Sequence, residues 1–311
     1  MGSTYWVAKE LVTTQTVLGV LAVRMVAAAA LLGLLVALAR RRVHTRDLRL
    51  GVLLGLILAS IFLVETFGIA GTSATNAGLI ISLTIIITPL LETALGGAPL
   101  SRWFYGAGLL AVAGVALLSG GIGGTFRWGD GLILVAAVVR AVHVTTMHKR
   151  SVPENDNLHL TFVQMSTCAV VFVVGSLLWG TSVPDYVRTL DTTATLQLAY
   201  LVVLCTVFPF LVQMWAVRTT SPTRVSLLLG TEPVWAAAVG ITLAGDAFGL
   251  PGAAGIVLIL AGTLWGQQIE ARRRSDVAPA VEVPVAVAPS GTPGTTPAVA
   301  VPAAASDDDS R

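Results

Sequence analysis

The chain has 311 residues, of which 55% are hydrophobic and 12% are charged, and its mean hydropathy is +0.82. Soluble globular proteins carry about 25% charged residues, so this composition excludes an ordinary soluble domain. The apolar residues occur in long runs rather than in alternation, which is typical of an all-α integral membrane protein. The formal net charge of +2 indicates no particular charged partner, and we expect no nucleic-acid partner.

In chain order, nine segments are long and apolar enough to cross a bilayer, which takes about 20 residues. A tenth segment, residues 2–14, supplies little more than half a crossing. We therefore predict ten transmembrane helices, the first of them short or truncated. The nine complete segments are residues 16–39, 50–70, 75–95, 103–120, 129–148, 159–180, 196–217, 225–244 and 250–269.

The basic residues predict the orientation, because cytoplasmic loops carry an excess of Lys and Arg. With ten crossings and both termini inside, the outer loops hold only Arg127 and Arg188. Nine crossings with an external N-terminus give the same loop placement. The high proportion of Arg over Lys suggests a bacterial source, so we expect a bacterial cytoplasmic membrane. The inner loops hold Arg40, Arg41, Arg42, Arg46, Arg49, Arg102, Lys149, Arg150, Arg218, Arg224, Arg272, Arg273 and Arg274.

Residues 271–311 differ in composition from the rest of the chain. They are rich in Ala, Val and Pro, show no helical period and end near Asp307, Asp308 and Asp309. This pattern predicts a disordered cytoplasmic tail. The tail is either a solvated extension or a partner-binding element.

An internal repeat has an offset of 148 residues. Thr72-Ser73-Ala74-Thr75 precedes one span and Thr220-Ser221-Pro222-Thr223 precedes another. The same offset carries Leu110, Ala113 and Gly114 onto Leu258, Ala261 and Gly262. Five crossings per copy force the two copies into opposite orientations, which is the inverted-repeat architecture of secondary transporters. Pro89 and Pro233 are helix-breaking residues in corresponding spans.

Five motifs stand in order along the chain. They are GSTYWVAK, Arg24 within LAVRMVAAAALL, TSATNAGLI with the later TPLL, LVQMWAVRTTSPTRVSLLLGTEPVW, and LPGAAGIVLILAGTLWG. Together they resemble the EamA-like transporter family of the drug/metabolite transporter superfamily. The likeness covers residues 2–269. It implies two repeats, residues 1–120 with helices 1–5 and residues 127–270 with helices 6–10, followed by the tail.

The chain departs from the family pattern at two places. Gly96-Gly97 and Gly245-Asp246 stand where the family usually has Gly-Glu. The first helix of the family also begins well upstream of Gly2. Since a crossing takes about 20 residues, we expect about ten apolar residues to precede Met1 in the natural protein.

Ionisable residues within the spans are the candidates for a substrate pathway, because a charge at the centre of a membrane helix is costly. Arg140 needs an anion, either Glu65, Glu232 or a substrate carboxylate. Glu232 stands beside Pro233 and serves either a structural kink or a polar cleft. Arg24 and Glu65 lie at comparable depth, and we expect a structural ion pair between them unless Glu65 carries protons.

The remaining candidates are weaker. His143 shares a helix face with Arg140 and either relays a proton or is a buried core residue. Asn76 and Gln213 offer hydrogen bonds, and Tyr5 and Trp215 offer aromatic walls, although ordinary helix contacts explain all four equally well.

We predict that the chain is not an enzyme and holds neither a metal nor a cofactor. It has no H-E-x-x-H, G-x-S-x-G or Walker A motif, and its two cysteines lie in apolar spans. The sequence indicates a secondary transporter that moves small metabolites, such as amino acids or drug-like amphipathic compounds, outward by alternating access. Protons are a candidate coupling ion, and the oligomeric state is open. The alternatives are an integral membrane enzyme acting on lipid-linked substrates and a non-transporting membrane scaffold or sensor.

Overall fold

A computed structural model describes residues 3–13, 16–40, 45–96, 99–118, 127–179, 183–219, 232–243, 245 and 249–277. Within these ranges every regular element is helical, as predicted. The elements are α1 (Ser3–Leu11), α2 (Val17–Leu38), α3 (Thr45–Gly71), α4 (Ala74–Ile81), α5 (Thr84–Ala94), α6 (Arg102–Leu118), α7 (Trp128–Arg150), α8 (Asn157–Trp179), α9 (Val183–Thr189), α10 (Thr192–Val202), a π-helical turn (Val203–Val207), α11 (Phe208–Thr219), α12 (Glu232–Thr242) and α13 (Leu250–Val277).

Seven apolar segments among the described residues have the length and composition of a membrane span. The apolar helix α6 is shorter, and α1 and α12 have 9 and 11 residues. The chain therefore has the composition and helix lengths of a multi-pass membrane protein. The seven segments are Val17–Leu38, Thr45–Gly71, Ala74–Ala94, Trp128–Arg150, Asn157–Trp179, Thr192–Thr219 and Leu250–Ile269.

Two predicted spans, residues 75–95 and 196–217, are not continuous α-helices. The first is divided between α4 and α5 at Ser82 and Leu83, where the Leu83 amide bonds the Ile80 carbonyl in a tighter turn. Ser82 also bonds its own helix, since its Oγ donates to the Leu79 carbonyl at 2.6 Å. The second span contains the π-helical turn Val203–Val207. Periodicity of apolar residues cannot report such local changes of helix type, because the buried face stays apolar.

The predicted span at residues 225–244 is also different. Residues 220–231 lie outside the described part of the chain, and so does the repeat motif at 220–223. The described helix α12 begins at Glu232, so Pro233 lies in its first turn rather than in its interior. A proline is tolerated there because first-turn amides have no partner within the helix. Pro89 does lie inside a helix, α5, where it is buried.

The last helix is longer than predicted. Helix α13 continues to Val277, past the predicted span end at 269 and the predicted tail boundary at 271. The added residues include Arg272, Arg273 and Arg274. Residues 278–311, which make up most of the predicted tail, lie outside the described part of the chain.

Glycines allow the central helices to approach closely. Helix α3 packs against α7 on one side and α8 on the other, and α2 packs against α8. A Cβ added at Gly129 of α7 would lie 2.5 Å from the Gly68 carbonyl oxygen of α3. A Cβ added at Gly55 would lie 2.8 Å from the Gln164 carbonyl oxygen of α8. Small residues at such positions are typical of helix contacts in membranes, where close backbone packing replaces the hydrophobic effect.

The contact between α6 and α13 is reciprocal. A Cβ added at Gly114 would lie 2.7 Å from the Ile259 nitrogen and 2.8 Å from the Gly255 oxygen. A Cβ added at Gly262 would lie 2.7 Å from the nitrogen of Ala111 and 2.7 Å from the oxygen of Ala107. Subtracting the repeat offset of 148 from residues 262, 259 and 255 of α13 gives residues 114, 111 and 107 of α6. Gly114 contacts residues 255 and 259, and its counterpart Gly262 contacts their counterparts, residues 107 and 111. The two contacts are therefore equivalent under the offset found in the sequence.

Basic residues collect at one end of the bundle, which we call the arginine-rich end. Contacts join the helix ends that meet there. Lys149 Nζ donates to the Leu95 carbonyl at 3.1 Å, and Arg218 Nη2 donates to the Val152 carbonyl at 2.7 Å. The Arg46 and Glu154 side chains are 3.6 Å apart and exposed. The other end, where α3 ends and α7 begins, is called the opposite end.

Candidate functional site

A small cavity lined by charged and apolar side chains lies among α1, α2, α3, α7 and the segment from α10 to α11. Its volume is about 30 Å³, enough for roughly one or two water molecules and too small for a metabolite. Most of its lining side chains are buried, including Tyr5, Phe62 and Phe210. The described residues therefore largely enclose this cavity, which we call the central cavity.

An ion pair forms one wall of the central cavity. Arg140 Nη2 of α7 donates to Glu65 Oε2 of α3 at 2.8 Å, and the two side chains are 18% and 8% exposed. The predicted partner of Arg140 was Glu65, Glu232 or a substrate carboxylate, and in the structure its salt bridge is with Glu65. Because the pair is largely buried, loss of one partner leaves a poorly hydrated charge without its counter-ion.

Arg24 lines the same cavity and has different partners. We expected it to pair with Glu65, whereas the salt bridge of Glu65 goes to Arg140. Arg24 Nε donates to Thr206 Oγ1 at 2.8 Å, and its Nη2 donates to the Cys205 carbonyl at 3.4 Å. The guanidinium also lies 5.1 Å from the centre of the Phe62 ring, a cation–π distance. Arg24 thus reaches across to the second half of the chain instead of staying beside its own neighbours.

The π-helical turn supplies the acceptors for Arg24. Pro209 has no N–H, so the carbonyl of Cys205, four residues earlier, loses its helical donor. The helix widens here, and the Phe208 amide bonds the Val203 carbonyl five residues back. Thr206 Oγ1 donates to the Leu201 carbonyl at 2.7 Å while it accepts from Arg24. Such turns often occur at functional sites because they expose backbone acceptors inside a helix.

A buried carboxylate accepts hydrogen bonds from neighbouring elements at the opposite end of the bundle. Asp130 of α7 is buried and accepts hydrogen bonds from the hydroxyl of Thr72, from Asn76 Nδ2 at 3.3 Å and from the Arg127 amide at 3.2 Å. Lys9 Nζ of α1 donates to the Thr72 carbonyl. These bonds tie α1, the α3–α4 junction and α7 together.

A second carboxylate lies at the arginine-rich end. Asp47, in the first turn of α3, is 2% exposed and accepts from Asn155 Nδ2 at 2.6 Å. Nδ1 of the buried His159 lies 3.8 Å from Asp47 Oδ2. This group, which we call the Asp47 cluster, ties the start of α3 to the start of α8. Between Asp47 and Glu65, α3 rises about 27 Å, so the cluster and the central cavity are separate sites.

Comparison with known proteins identifies the family to which the chain belongs. The family model of the EamA-like transporter family matches residues 1–120 and 127–265. The chain belongs to the EamA-like transporter family. Members of this family are membrane transporters rather than enzymes, and the resemblance found in the sequence is confirmed.

Solved structures agree on the fold. A structure described only as the crystal structure of a protein matches with a TM-score of 0.59 and 17% sequence identity. The match covers 87% of this chain and 97% of the other. At this identity the likeness shows the fold alone. None of the curated proteins compared matches this chain.

The predicted site residues of this transporter fall into two groups. The structure brings Tyr5, Arg24, Glu65 and Arg140 together around the central cavity. The other described candidates are elsewhere.

Asn76 belongs to the hydrogen bonds around Asp130. His143 is buried where α7 meets Gln164 of α8, and Gln213 is buried in α11. Trp215 is 56% exposed and lines an open cleft at the arginine-rich end. The side chains of Glu232 and Pro233 lie outside the described part of the structure.

Sequence reasoning missed the residues that hold Arg24. Thr206 and the Cys205 carbonyl give no sequence signal of their own, but Pro209 inside an apolar span could have indicated a local break. Asp47 and Asp130 were missed because each lies at the predicted edge of a span, where an acidic residue suggests a loop.

Proposed function

We propose that this EamA-like protein is a secondary transporter that exports small amphipathic metabolites, such as amino acids or drug-like compounds, by alternating access. It would work in the bacterial cytoplasmic membrane, with both termini inside and protons as the candidate coupling ion. The observation that carries the proposal is the central cavity, which contains charged side chains and is closed among apolar helices.

Two features support alternating access. The Asp130 hydrogen bonds and the Asp47 cluster each join helices at one end of the bundle. Opening one end while the other stays closed would expose the central cavity to one side of the membrane at a time. Hydrogen bonds between side chains suit this purpose, because water replaces the broken partners when an end opens.

We further propose ten helices in two inverted repeats of five. Support comes from the contact of α6 with α13, where Gly114 and Gly262 exchange partners under the offset of 148 residues. Contacts of this reciprocal kind arise at a local twofold axis, and substrate sites of inverted-repeat transporters lie near the midplane between repeats.

Counterflow in liposomes tests the transport proposal. Purified protein is reconstituted, and labelled amino acids and cationic drugs are screened for counterflow with and without a pH gradient. We expect uptake that depends on the protein, that Arg140→Ala abolishes and that Arg188→Gln leaves intact, because Arg188 is an exposed residue of α9. Equal flux in protein-free liposomes, or in the Arg140→Ala variant with its fold retained, would contradict the proposal.

A further inference from the structure

We propose that Arg24 binds the anionic group of the substrate, and that the transported compounds are monoanions with an apolar body. The inference rests on the proposed transport function and narrows its substrate class. It comes from the contrast between Arg24 and Arg140, two guanidiniums that line the same cavity.

The two guanidiniums of the central cavity differ in the charge of their partners. Glu65 forms its salt bridge with Arg140. The groups that hold Arg24 in the structure are the Thr206 hydroxyl, the Cys205 carbonyl and the Phe62 ring, all of them neutral. Arg24 is 5% exposed. A guanidinium keeps its charge in proteins. Among the described residues, the direct partners of Arg24 are therefore neutral, and the Glu65 carboxylate, which acts on Arg24 through space, is itself paired with Arg140.

The contacts of Arg24 use only some of its hydrogen-bond donors. A guanidinium has five N–H donors, and the bonds to Thr206 and Cys205 use donors on Nε and Nη2. Within the described part of the chain, donors therefore remain for an anion in the cavity. Because the π-helical turn fixes the guanidinium in place, binding an anion requires little further ordering of the side chain.

Apolar side chains form the walls of the cavity next to Arg24. Tyr5, Phe62, Leu201 and Phe210 line the cavity beside the guanidinium, and the Phe62 and Phe210 ring centres are 5.8 Å apart. Aromatic and aliphatic walls next to one buried cation match a compound with a carboxylate and a hydrophobic side chain. A compound with an ammonium group alone would meet like charge at Arg24.

Three probes that share a branched aliphatic body separate the charge classes. They are 4-methyl-2-oxopentanoate, an anion; leucine, a zwitterion; and 3-methylbutylamine, a cation. The first readout is the thermal unfolding midpoint of the purified protein, since a ligand that binds the folded state raises it. We expect the anion to raise the midpoint most and the amine least. An equal or larger shift with the amine would overturn the inference, and so would no shift with any probe.

Variants of Arg24 test whether this residue binds the anionic group of the ligand. Arg24→Gln should reduce the preference for the anion over the amine by about tenfold or more, because a charge-assisted hydrogen bond is lost. Arg24→Lys keeps the charge and should retain part of the preference, and Arg188→Gln should retain all of it. An unchanged preference in Arg24→Gln would overturn the assignment. If Arg24→Gln does not fold, Arg24→Lys decides, because an unchanged affinity for the anion would then count against a guanidinium site.

The transport proposal and the anion site can fail separately. Stabilisation by the anion without counterflow of any labelled compound would contradict transport and leave the site standing. Counterflow of labelled 3-methylbutylamine at the rate of the anion would support transport and overturn the anion site.

Discussion

The central cavity and the Asp47 cluster both bury ionisable groups among apolar helices, yet they differ in the charges they contain. In the Asp47 cluster a carboxylate meets an amide and an imidazole, and its hydrogen bonds join the start of α3 to the start of α8. In the central cavity two guanidiniums face one carboxylate among the described lining residues. The comparison teaches that burial alone does not mark a substrate site. An excess of one charge among the described lining residues is the more informative sign, because a buried charge requires a compensating partner.

The largest effect is expected from Glu65→Gln, which removes the carboxylate that pairs with Arg140 at 2.8 Å. Breaking one side of a buried ion pair costs about 3–5 kcal/mol, because the remaining charge has lost its partner. We expect a strongly lowered free energy of unfolding in denaturant titrations. If the substrate anion occupies the same cavity, 4-methyl-2-oxopentanoate should stabilise this variant more than it stabilises the wild type.

A double variant serves as the control for this prediction. Glu65→Gln combined with Arg140→Gln removes both charges, so the double variant should be more stable than Glu65→Gln alone. A double variant that loses the sum of the two single effects would show that the pair is not coupled. The central cavity would then resemble the Asp47 cluster in being a set of independent polar contacts.

An intermediate effect is expected from Thr206→Val, which keeps the side-chain shape and removes the hydroxyl that accepts from Arg24 Nε. A buried donor left without its acceptor costs about 1–3 kcal/mol. The unfolding midpoint should fall, and the affinity for the anion should weaken because Arg24 is less firmly held. Thr206→Ser restores the hydroxyl and should recover both properties. An Arg24 site that is unaffected in Thr206→Val would show that the π-helical turn does not position the guanidinium.

The sequence was sufficient for the class of fold but not for the pairing inside the bundle. Long apolar runs predict spanning helices because bilayer thickness sets their length, and most described helix bounds agree within a few residues. Whether Glu65 meets Arg24 or Arg140 depends on the rotation of α2, α3 and α7 about their axes, which similar apolar faces leave undetermined. The long-range bond between Arg24 and Thr206 joins residues 182 positions apart, and a single sequence gives no signal for such a contact.

The local interruptions could be predicted only in part. Pro209 indicates that the helix around it cannot be regular, but the choice of a π-helical turn depends on Arg24 and Thr206 supplying alternative hydrogen bonds. The end of α13 was missed for a related reason. Hydropathy marks where the apolar residues stop, whereas the helix itself continues through charged residues to Val277.

The smallest effect is expected from Asp47→Asn, which tests whether the two regions are independent. The new amide oxygen can still accept from Asn155 Nδ2, so only the negative charge facing His159 is lost. We expect a loss of about 1 kcal/mol in the free energy of unfolding, because a hydrogen bond to a carboxylate is stronger than one to a neutral amide. The preference for 4-methyl-2-oxopentanoate over 3-methylbutylamine should stay at the wild-type ratio, because the charge removed lies about 27 Å along α3 from Glu65. Loss of that preference in Asp47→Asn would show that the end of the bundle and the central cavity act as one electrostatic unit, and the distinction between a closing contact and a binding site would have to be abandoned.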